Sequence, residues 1–139
     1  MIAFEIDLKP IAASRPRVTR WSTYYKEPYN SYKELLKQKM ELYTKGNKTP
    51  LFDDGVALEL DVVFEMEIPK SFSKKKREAL NGSYVTKKPD LDNLVKSIKD
   101  AMNGYIYKDD SQVVISSQKK IYSLEPKTII IIKEIYEKN

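Results

Sequence analysis

Hydrophobic and polar residues alternate most regularly between positions 56 and 67, and this alternation predicts a β-strand. Because successive strand residues point to opposite faces, the apolar set lies on one face of a sheet. Asp53-Asp54-Gly55, directly before the strand, is a turn signal. A turn accounts for the two aspartates without any catalytic or metal site. Pro69 ends the pattern, and a shorter alternation predicts a first strand over residues 2–8. The apolar set is Val56, Leu58, Leu60, Val62, Phe64 and Met66.

The C-terminal part of the chain predicts two further strands, at about 112–123 and 127–136, joined around Glu125 and Pro126. The second contains a continuous apolar run from Ile129 to Ile132. Such a run is typical of a central strand that is covered on both faces. We therefore expect this strand in the middle of the sheet.

Three segments have the apolar spacing or the start signals of a helix. Asn30 or Ser31 is expected to cap the first and Ser73 the second, because their side chains accept hydrogen bonds from unpaired backbone amides. Asn103-Gly104 ends the third, since glycine readily adopts the left-handed conformation that closes a helix. The expected boundaries are 30–43, 74–80 and 91–102.

Together these elements predict one mixed domain. Strands and helices are intermixed without a regular strand–helix–strand rhythm, so the expected class is α+β, with a central mixed sheet of about four strands flanked by helices. A chain of 139 residues suits a single domain over residues 1–139. No apolar run approaches the roughly 20 residues of a membrane span, and the N-terminus does not resemble a signal peptide. The expected location is cytoplasmic, with no membrane partner.

The composition narrows the possible chemistry. The chain contains no cysteine and no histidine. Disulfides, thiolate nucleophiles, cysteine zinc sites and serine–histidine hydrolysis are therefore excluded. Any metal must be held by oxygen, which favours Mg²⁺, Mn²⁺ or Ca²⁺. The net charge of +5 is compatible with a polyanionic partner such as DNA or RNA, although charge alone does not establish one.

The densest chemical signal is an acidic motif around the third predicted helix. Asp90 and Asp92 bracket the helix start, and Lys96 lies four residues after Asp92 on the same helical face. The helix rises about 18 Å at its expected length, and the segment from its end to Asp109 spans at most about 20 Å. If the chain reverses after the helix, Asp109 and Asp110 reach back to its start. Three or four carboxylates then converge beside one lysine.

Such a cluster suits metal-assisted hydrolysis of a phosphodiester. Neighbouring carboxylates repel one another unless a divalent cation neutralises them, and their hard oxygens suit Mg²⁺, with Mn²⁺ as a substitute. The metal activates a bound water and stabilises charge on the phosphate. Lys96 can stabilise the charge that develops on the phosphate or the leaving oxygen. The alternative is purely structural, with Asp90 as a helix cap, Asp92 and Lys96 as a surface ion pair, and Asp109-Asp110 as a turn.

The segment from Asp90 to Val114 resembles the signature of the RusA family of Holliday-junction resolvases. The family pattern is close to D-L-D-N-L-x-K, a helix, and then D-D-x-Q-V. Here it reads Asp90-Leu91-Asp92-Asn93-Leu94-x-Lys96 and then Asp109-Asp110-Ser111-Gln112-Val113, with the internal spacing kept. Weaker similarity to phage and prophage members extends to Arg15-Pro16-Arg17, Tyr29 to Tyr32, and Ser71 to Arg77.

The resemblance implies a RusA-like fold and a role for each acidic residue. It implies metal-binding, catalytic roles for Asp90, Asp92 and Asp110, an essential catalytic role for Lys96, and an accessory role for Asp109. It also implies a Mg²⁺-dependent homodimer that makes paired nicks across a four-way DNA junction in recombination or repair. A junction with near two-fold symmetry gives the dimer a geometric reason, because two equivalent sites can cut opposing strands.

Basic and aromatic residues are concentrated outside the acidic motif. Arg15, Arg17 and Arg20 are followed by Trp21, a mixture that suits phosphate contacts and stacking on unpaired bases. In the alternative interpretation, Trp21 fills the edge of the core and the arginines are merely solvated. Two lysine groups either extend a basic collar around the site or form an ordinary solvated surface. These groups are Lys74, Lys75 and Lys76, and Lys87 and Lys88.

Other functions remain open at this point. A nuclease with the same chemistry can prefer flaps or replication forks to junctions. A non-catalytic DNA-binding protein can retain the fold, although a pure binder gains little from carboxylates that face phosphates. A small α/β protein without a nucleic-acid role would use the acidic motif only for caps and turns. The segment before Asp90, Thr86-Lys87-Lys88-Pro89, is less arginine-rich than in some family members, which leaves the DNA-contacting residues open.

Overall fold

The computed structural model describes residues 1–136, in which three α-helices, a four-stranded sheet and a two-stranded hairpin form the framework. None of the helices within these residues has the length and apolar character that a membrane crossing needs. The strands are β1 (Ile2–Ile6), β2 (Arg17–Val18), β3 (Thr23–Tyr24), β4 (Leu58–Glu67), β5 (Val113–Ser123) and β6 (Lys127–Glu134). The helices are α1 (Tyr29–Tyr43), α2 (Lys74–Leu80) and α3 (Leu91–Met102).

The large sheet is mixed, with the strand order β1-β6-β4-β5. Strand β6 pairs antiparallel with both β1 and β4, whereas β4 and β5 run parallel. Parallel neighbours need a crossover connection, and α2 and α3 lie in the segment between them. A mixed sheet of four strands accompanied by helices confirms the predicted α+β class.

The core lies on one face of this sheet. The alternation that predicted β4 places Leu58, Leu60, Val62 and Phe64 on that face, where all four are fully buried. Helices α1 and α3 cover the same face, since their apolar stripes belong to the same cluster of buried residues. The helical members of the cluster are Tyr29, Tyr32, Leu36 and Met40 in α1 and Leu94, Val95, Ile98 and Met102 in α3.

The isoleucine run of β6 is central, as predicted, but it is not covered equally on both faces. Ile130 and Ile132 are fully buried against the helices, whereas Ile129 and Ile131 are only partly buried. On that second face the sheet carries charged side chains, including an ion pair between Lys133 and Glu59 at 2.9 Å. The continuous apolar run therefore reflects the position of β6 between β1 and β4 in the sheet. It does not indicate a second layer of structure packed on the other face.

The helix starts are only partly as predicted. Ser73 caps α2, and its hydroxyl accepts a hydrogen bond from the Lys76 amide at 3.2 Å. Helix α1 begins at Tyr29, with Pro28 at the N-cap position and no side-chain cap, so the assignment of Asn30 or Ser31 as the cap is wrong. Burial of the Tyr29 side chain extends the helix past the polar residues that would otherwise cap it.

Candidate active site

Asp90 occupies the N-cap position of α3, but its side chain makes no capping hydrogen bond. The loop before it is held by Lys120 of β5, whose Nζ donates to the carbonyl oxygens of Lys87 at 2.6 Å and Pro89 at 2.7 Å. An ammonium group that binds two carbonyls fixes the backbone from which Asp90 projects. The interpretation of Asp90 as a helix cap therefore accounts for its place at the start of α3. It does not account for the carboxylate, which makes no capping hydrogen bond.

The chain reverses after α3, which meets the condition for the segment after the helix to reach back to the helix start. Gly104 has a φ of 83°, which favours glycine, and its amide donates to the Tyr107 carbonyl at 2.8 Å. The fully buried Tyr107 then fastens the return segment to the helix, because its hydroxyl donates to the Lys99 carbonyl at 2.8 Å. Burial raises the pKa of Tyr107, and the negative charges of Asp110 and Asp100 raise it further.

Gln112 holds the return segment against the turn before β4. This side chain is buried, and its amide Nε2 donates to the Asp53 carbonyl at 3.0 Å and the Val56 carbonyl at 3.1 Å. Its Oε1 accepts from the backbone amides of Lys108 at 3.1 Å and Asp109 at 3.2 Å. One side chain therefore satisfies backbone groups of two segments that are far apart in sequence. The glutamine of the D-D-x-Q-V motif is explained by this structural role.

The two adjacent aspartates of the motif have different environments. Asp109 caps a short 3-10 helix over Asp110–Gln112, and its carboxylate accepts from the Ser111 amide at 3.0 Å. Hydrogen bonds from Ser111 lower the pKa of Asp109. Asp110, in the first turn of that helix, lines a pocket together with residues of α3 instead. The turn predicted at Asp53-Asp54-Gly55 is present, and within it Asp54 forms an exposed ion pair with Lys108 at 3.2 Å.

Replacing Gln112 is expected to destabilise the fold. In Gln112→Ala, four backbone groups lose their partner, and buried groups without a partner are costly, so the free energy of unfolding should fall by about 2–4 kcal/mol. Urea denaturation followed by circular dichroism measures this change. The matched control is Gln38→Ala on the exposed side of α1, which should change stability by less than about 0.5 kcal/mol. Equal stabilities of the two variants would contradict the structural role of Gln112.

Three residues of the acidic motif line one shallow pocket of about 320 Å³ between α3 and the return segment. They are Asp92, Lys96 and Asp110, and we call this cavity the carboxylate pocket. Asp100 contributes a further acid to it, and Lys99 a further base. The remaining lining residues are Val95, Ser116 and Gln118. The motif thus brings acids from two segments and a lysine to one open surface.

Asp90 and Asp109 are not among the residues that line the carboxylate pocket. Residues 1–136 also contain no group of three acidic side chains placed to hold a metal ion together. The expected convergence of three carboxylates is therefore not assembled within this part of the chain. What the structure brings together is Asp92 and Asp110, with Asp100 beside them.

Lys96 forms its ion pair with Asp100 and not with Asp92. Its Nζ lies 3.7 Å from the Asp100 carboxylate, and its side chain remains 63% exposed. The sequence placed an aspartate four residues before Lys96 and another four residues after it, and spacing alone did not decide between them. Asp100 is thus a site residue that our sequence reasoning did not select.

The three arginines lie on an exposed loop and hairpin, and Arg15 lines a cavity together with Asn93 and Lys96 of α3. The segment between the first strand and the first helix contains the β2–β3 hairpin, in which Arg17 pairs with Tyr24. Trp21 at its tip is 83% exposed, so the interpretation that it fills the core edge is wrong. The Arg20 guanidinium lies 5.1 Å from the centroid of the Trp21 ring. Arg15, Arg17 and Arg20 are all exposed.

The two lysine groups are exposed and lie outside the carboxylate pocket. Helix α2, which carries the first group, has no buried residue. Lys76 packs its ammonium 3.8 Å from the centroid of the Phe72 ring. A basic collar that includes these groups stays a prediction. The groups are Lys74, Lys75 and Lys76, and Lys87 and Lys88.

The sequence of the chain is similar to those of known proteins. Residues 7–133 match a protein family described as endodeoxyribonuclease RusA. The uncharacterized protein YqaN of Bacillus subtilis (strain 168) is 36% identical over 140 residues, which cover 96% of each chain. The crossover junction endodeoxyribonuclease rusA of Lactococcus phage r1t is 35% identical over 92 residues, which cover 66% of this chain and 65% of the phage protein. The chain belongs to the RusA family of endodeoxyribonucleases.

Proposed function

We propose that this protein is a structure-selective endodeoxyribonuclease that resolves Holliday junctions by Mg²⁺-dependent hydrolysis of paired phosphodiesters, in DNA recombination and repair. The observation that carries the proposal is the joint lining of one open pocket by Asp92, Lys96 and Asp110. Membership in the RusA family supports a junction endonuclease, and one relative is a phage crossover junction endodeoxyribonuclease.

The carboxylate pocket supplies the kind of ligands that a hard cation needs. Mg²⁺ in enzymes that act on phosphates is commonly bound by one or two carboxylates, with waters and substrate phosphate oxygens completing the shell. Asp92 and Asp110 would be those carboxylates, with Mn²⁺ as a substitute ion. Asp90, at the helix start outside the pocket, is the third proposed ligand because the family signature implies that role. A bound ion would supply an activated water and neutralise charge on the phosphate.

Lys96 would act on the substrate directly. Its ammonium group borders the carboxylate pocket, and the Asp100 carboxylate 3.7 Å away restrains it there. A fixed positive charge at this place can bind a non-bridging oxygen of the scissile phosphate as negative charge develops. Because the aspartates repel phosphate, affinity for DNA must come mainly from basic residues outside the pocket.

The proposal includes a homodimer. A four-way junction has near two-fold symmetry, so two identical sites related by a two-fold axis can cut strands of the same polarity on opposite sides. Multi-angle light scattering should give the mass of two chains for the protein alone, and the mass of two chains plus one junction for the complex. A single chain per junction would remove the dimer from the proposal but leave the chemistry of each site unchanged.

A cleavage assay with several DNA structures tests the function. Labelled four-way junctions, duplexes, flaps and forks are incubated with the protein in Mg²⁺, in Mn²⁺ and in EDTA. We expect paired, symmetric nicks in the junction that require the divalent ion. Faster cutting of flaps or forks would keep the chemistry and change the selectivity. Binding without cutting in every metal would indicate a non-catalytic DNA-binding protein.

The basic segments are expected to control affinity. Arg15→Ala, Arg17→Ala and a triple Lys74, Lys75 and Lys76 alanine variant should weaken junction binding, and each lost phosphate contact should lower the slope of log affinity against log salt by about 0.9. Binding is measured by fluorescence anisotropy at several salt concentrations. Lys48→Ala, an exposed lysine outside these segments, is the control and should keep the wild-type slope. Unchanged slopes in the arginine variants would mean that the loop and hairpin do not contact DNA.

A further inference from the structure

The edge strand β5 carries polar side chains on the face of the sheet where β4 is apolar. In the parallel pairing of the two strands, Ser116 lies opposite Leu60. Two residues further along, Gln118 lies opposite Val62. Both β4 residues are fully buried under the helices, and paired residues of neighbouring strands point to the same face. The two polar side chains of β5 therefore also project from the helix side of the sheet, where burial in the core does not account for them.

These two side chains form the wall that the sheet contributes to the carboxylate pocket. Ser116 and Gln118 line the pocket together with Asp92 and Lys96 of α3 and with Asp110. Gln118 is half-buried, whereas Ser116 is exposed. The pocket thus has an uncharged polar wall in addition to the residues of the acidic motif.

A short hydrogen bond orients the Gln118 amide. The Ser116 hydroxyl donates to the Gln118 Oε1 at 2.6 Å. Because the amide oxygen is engaged in this bond, the two N–H groups of Nε2 are what the side chain can offer to a ligand. Gln118 is therefore a neutral hydrogen-bond donor at the wall of the pocket.

A neutral donor at this place suits an oxygen of a phosphate group. Ionised carboxylates are acceptors only, so Asp92 and Asp110 cannot donate hydrogen bonds to a phosphate. During phosphodiester hydrolysis, negative charge develops on the phosphate oxygens, and preorganised donors stabilise it. An amide supplies such a donor without a positive charge, which would compete with a divalent ion for the carboxylates.

We propose that Gln118 donates a hydrogen bond to a non-bridging oxygen of the scissile phosphate, and that Ser116 positions the amide for this contact. The inference rests on the proposed nuclease function and adds a residue that touches the substrate. Ser116 is a positioning residue, because it acts only through Gln118. Both residues follow the D-D-x-Q-V motif along the chain, so the spacing of that motif does not indicate them.

Phosphorothioate junctions test the contact. Sulfur replaces one or the other non-bridging oxygen at the mapped cut, and single-turnover cleavage is measured at saturating protein in Mn²⁺, which tolerates sulfur better than Mg²⁺ does. Sulfur is a weak hydrogen-bond acceptor, so the wild type should cut one of the two isomers about tenfold more slowly than the unmodified junction. Gln118→Leu should cut the unmodified junction about tenfold more slowly, and the sulfur effect for that isomer should shrink to about threefold or less, because the contact is already lost.

Ser116→Ala tests the positioning role. It should slow cleavage of the unmodified junction about threefold in the wild-type background and have no effect in Gln118→Leu. Ser117→Ala is the matched control, because the Ser117 side chain points to the opposite face of β5 and does not line the carboxylate pocket. This control should cut at the wild-type rate. Junction affinity without divalent ions should stay within about twofold of the wild type in every variant, since one contact among many is changed.

Gln118→Glu separates the lost donor from a packing effect of leucine, because glutamate has nearly the same shape as glutamine but no N–H group. It should cut at least as slowly as Gln118→Leu. Wild-type cleavage by either variant overturns the contact while the nuclease stands. The same holds if sulfur slows neither isomer in the wild type, or if its effect is undiminished in Gln118→Leu. If the wild type cuts no DNA structure, the nuclease proposal fails, and the Gln118 contact fails with it.

Discussion

Asp92→Asn and Asp110→Asn are each expected to lower the single-turnover rate of junction cleavage by about a thousandfold or more. Each change replaces a negatively charged ligand in the carboxylate pocket with a neutral amide of nearly the same shape. Affinity for the junction should stay equal or increase, because the change also removes repulsion between a carboxylate and the DNA phosphates. Cleavage is measured at saturating protein, and affinity is measured without divalent ions.

Asp90→Asn provides a related test at the start of α3. A lost N-cap side chain usually costs about 1 kcal/mol, but the Asp90 carboxylate makes no capping hydrogen bond. The variant should therefore unfold at the wild-type urea concentration while losing cleavage. Asp54→Asn, in the turn before β4, is the control and should cut at the wild-type rate. Parallel loss of stability, binding and cleavage in the three site variants would instead assign these aspartates a structural role.

Local periodicity was sufficient to predict most of the framework. Helix α3 has the predicted boundaries of 91–102, because its apolar stripe and the Asn103-Gly104 signal both depend on neighbouring residues. The β2–β3 hairpin was not predicted, since strands of two residues have no room for an alternating pattern. The partly open face beside Ile129 and Ile131 was not predicted either. Periodicity shows which side chains share a face of a sheet, but it does not show what packs on that face.

The candidate site was predictable where chain length and spacing restrict the geometry. The return of Asp110 to α3 followed from the length of the helix and of the segment after it. The contacts of Gln112 and Lys120 join segments that are distant in sequence, and no local pattern indicates such partners. Lys96 had candidate partners on both sides at equal spacing, and only the folded geometry assigns it to Asp100.

Lys96→Ala is expected to separate chemistry from affinity. Removing its ammonium group takes away one positive charge at the edge of the carboxylate pocket, where it would stabilise the developing charge on the phosphate. Loss of one such preorganised group typically lowers the rate of the chemical step by about 100- to 1,000-fold. Affinity should change little, because one phosphate contact among many contributes a small part of the binding energy. Single-turnover cleavage at saturating protein, paired with junction affinity, measures both quantities.

Arg17→Ala is the reciprocal control for this experiment, because Arg17 lies on the hairpin and does not line the carboxylate pocket. It should weaken binding and yet cut at the wild-type rate once the junction is saturated. Unfolding does not explain a slow Lys96→Ala variant, since its ion pair with Asp100 is largely exposed and contributes less than about 1 kcal/mol to stability. If Lys96→Ala cuts at the wild-type rate when bound, then this lysine does not act on the scissile phosphate. The charge that stabilises the reaction must in that case come from another basic residue at the pocket, and Lys99 is the other basic residue in its lining.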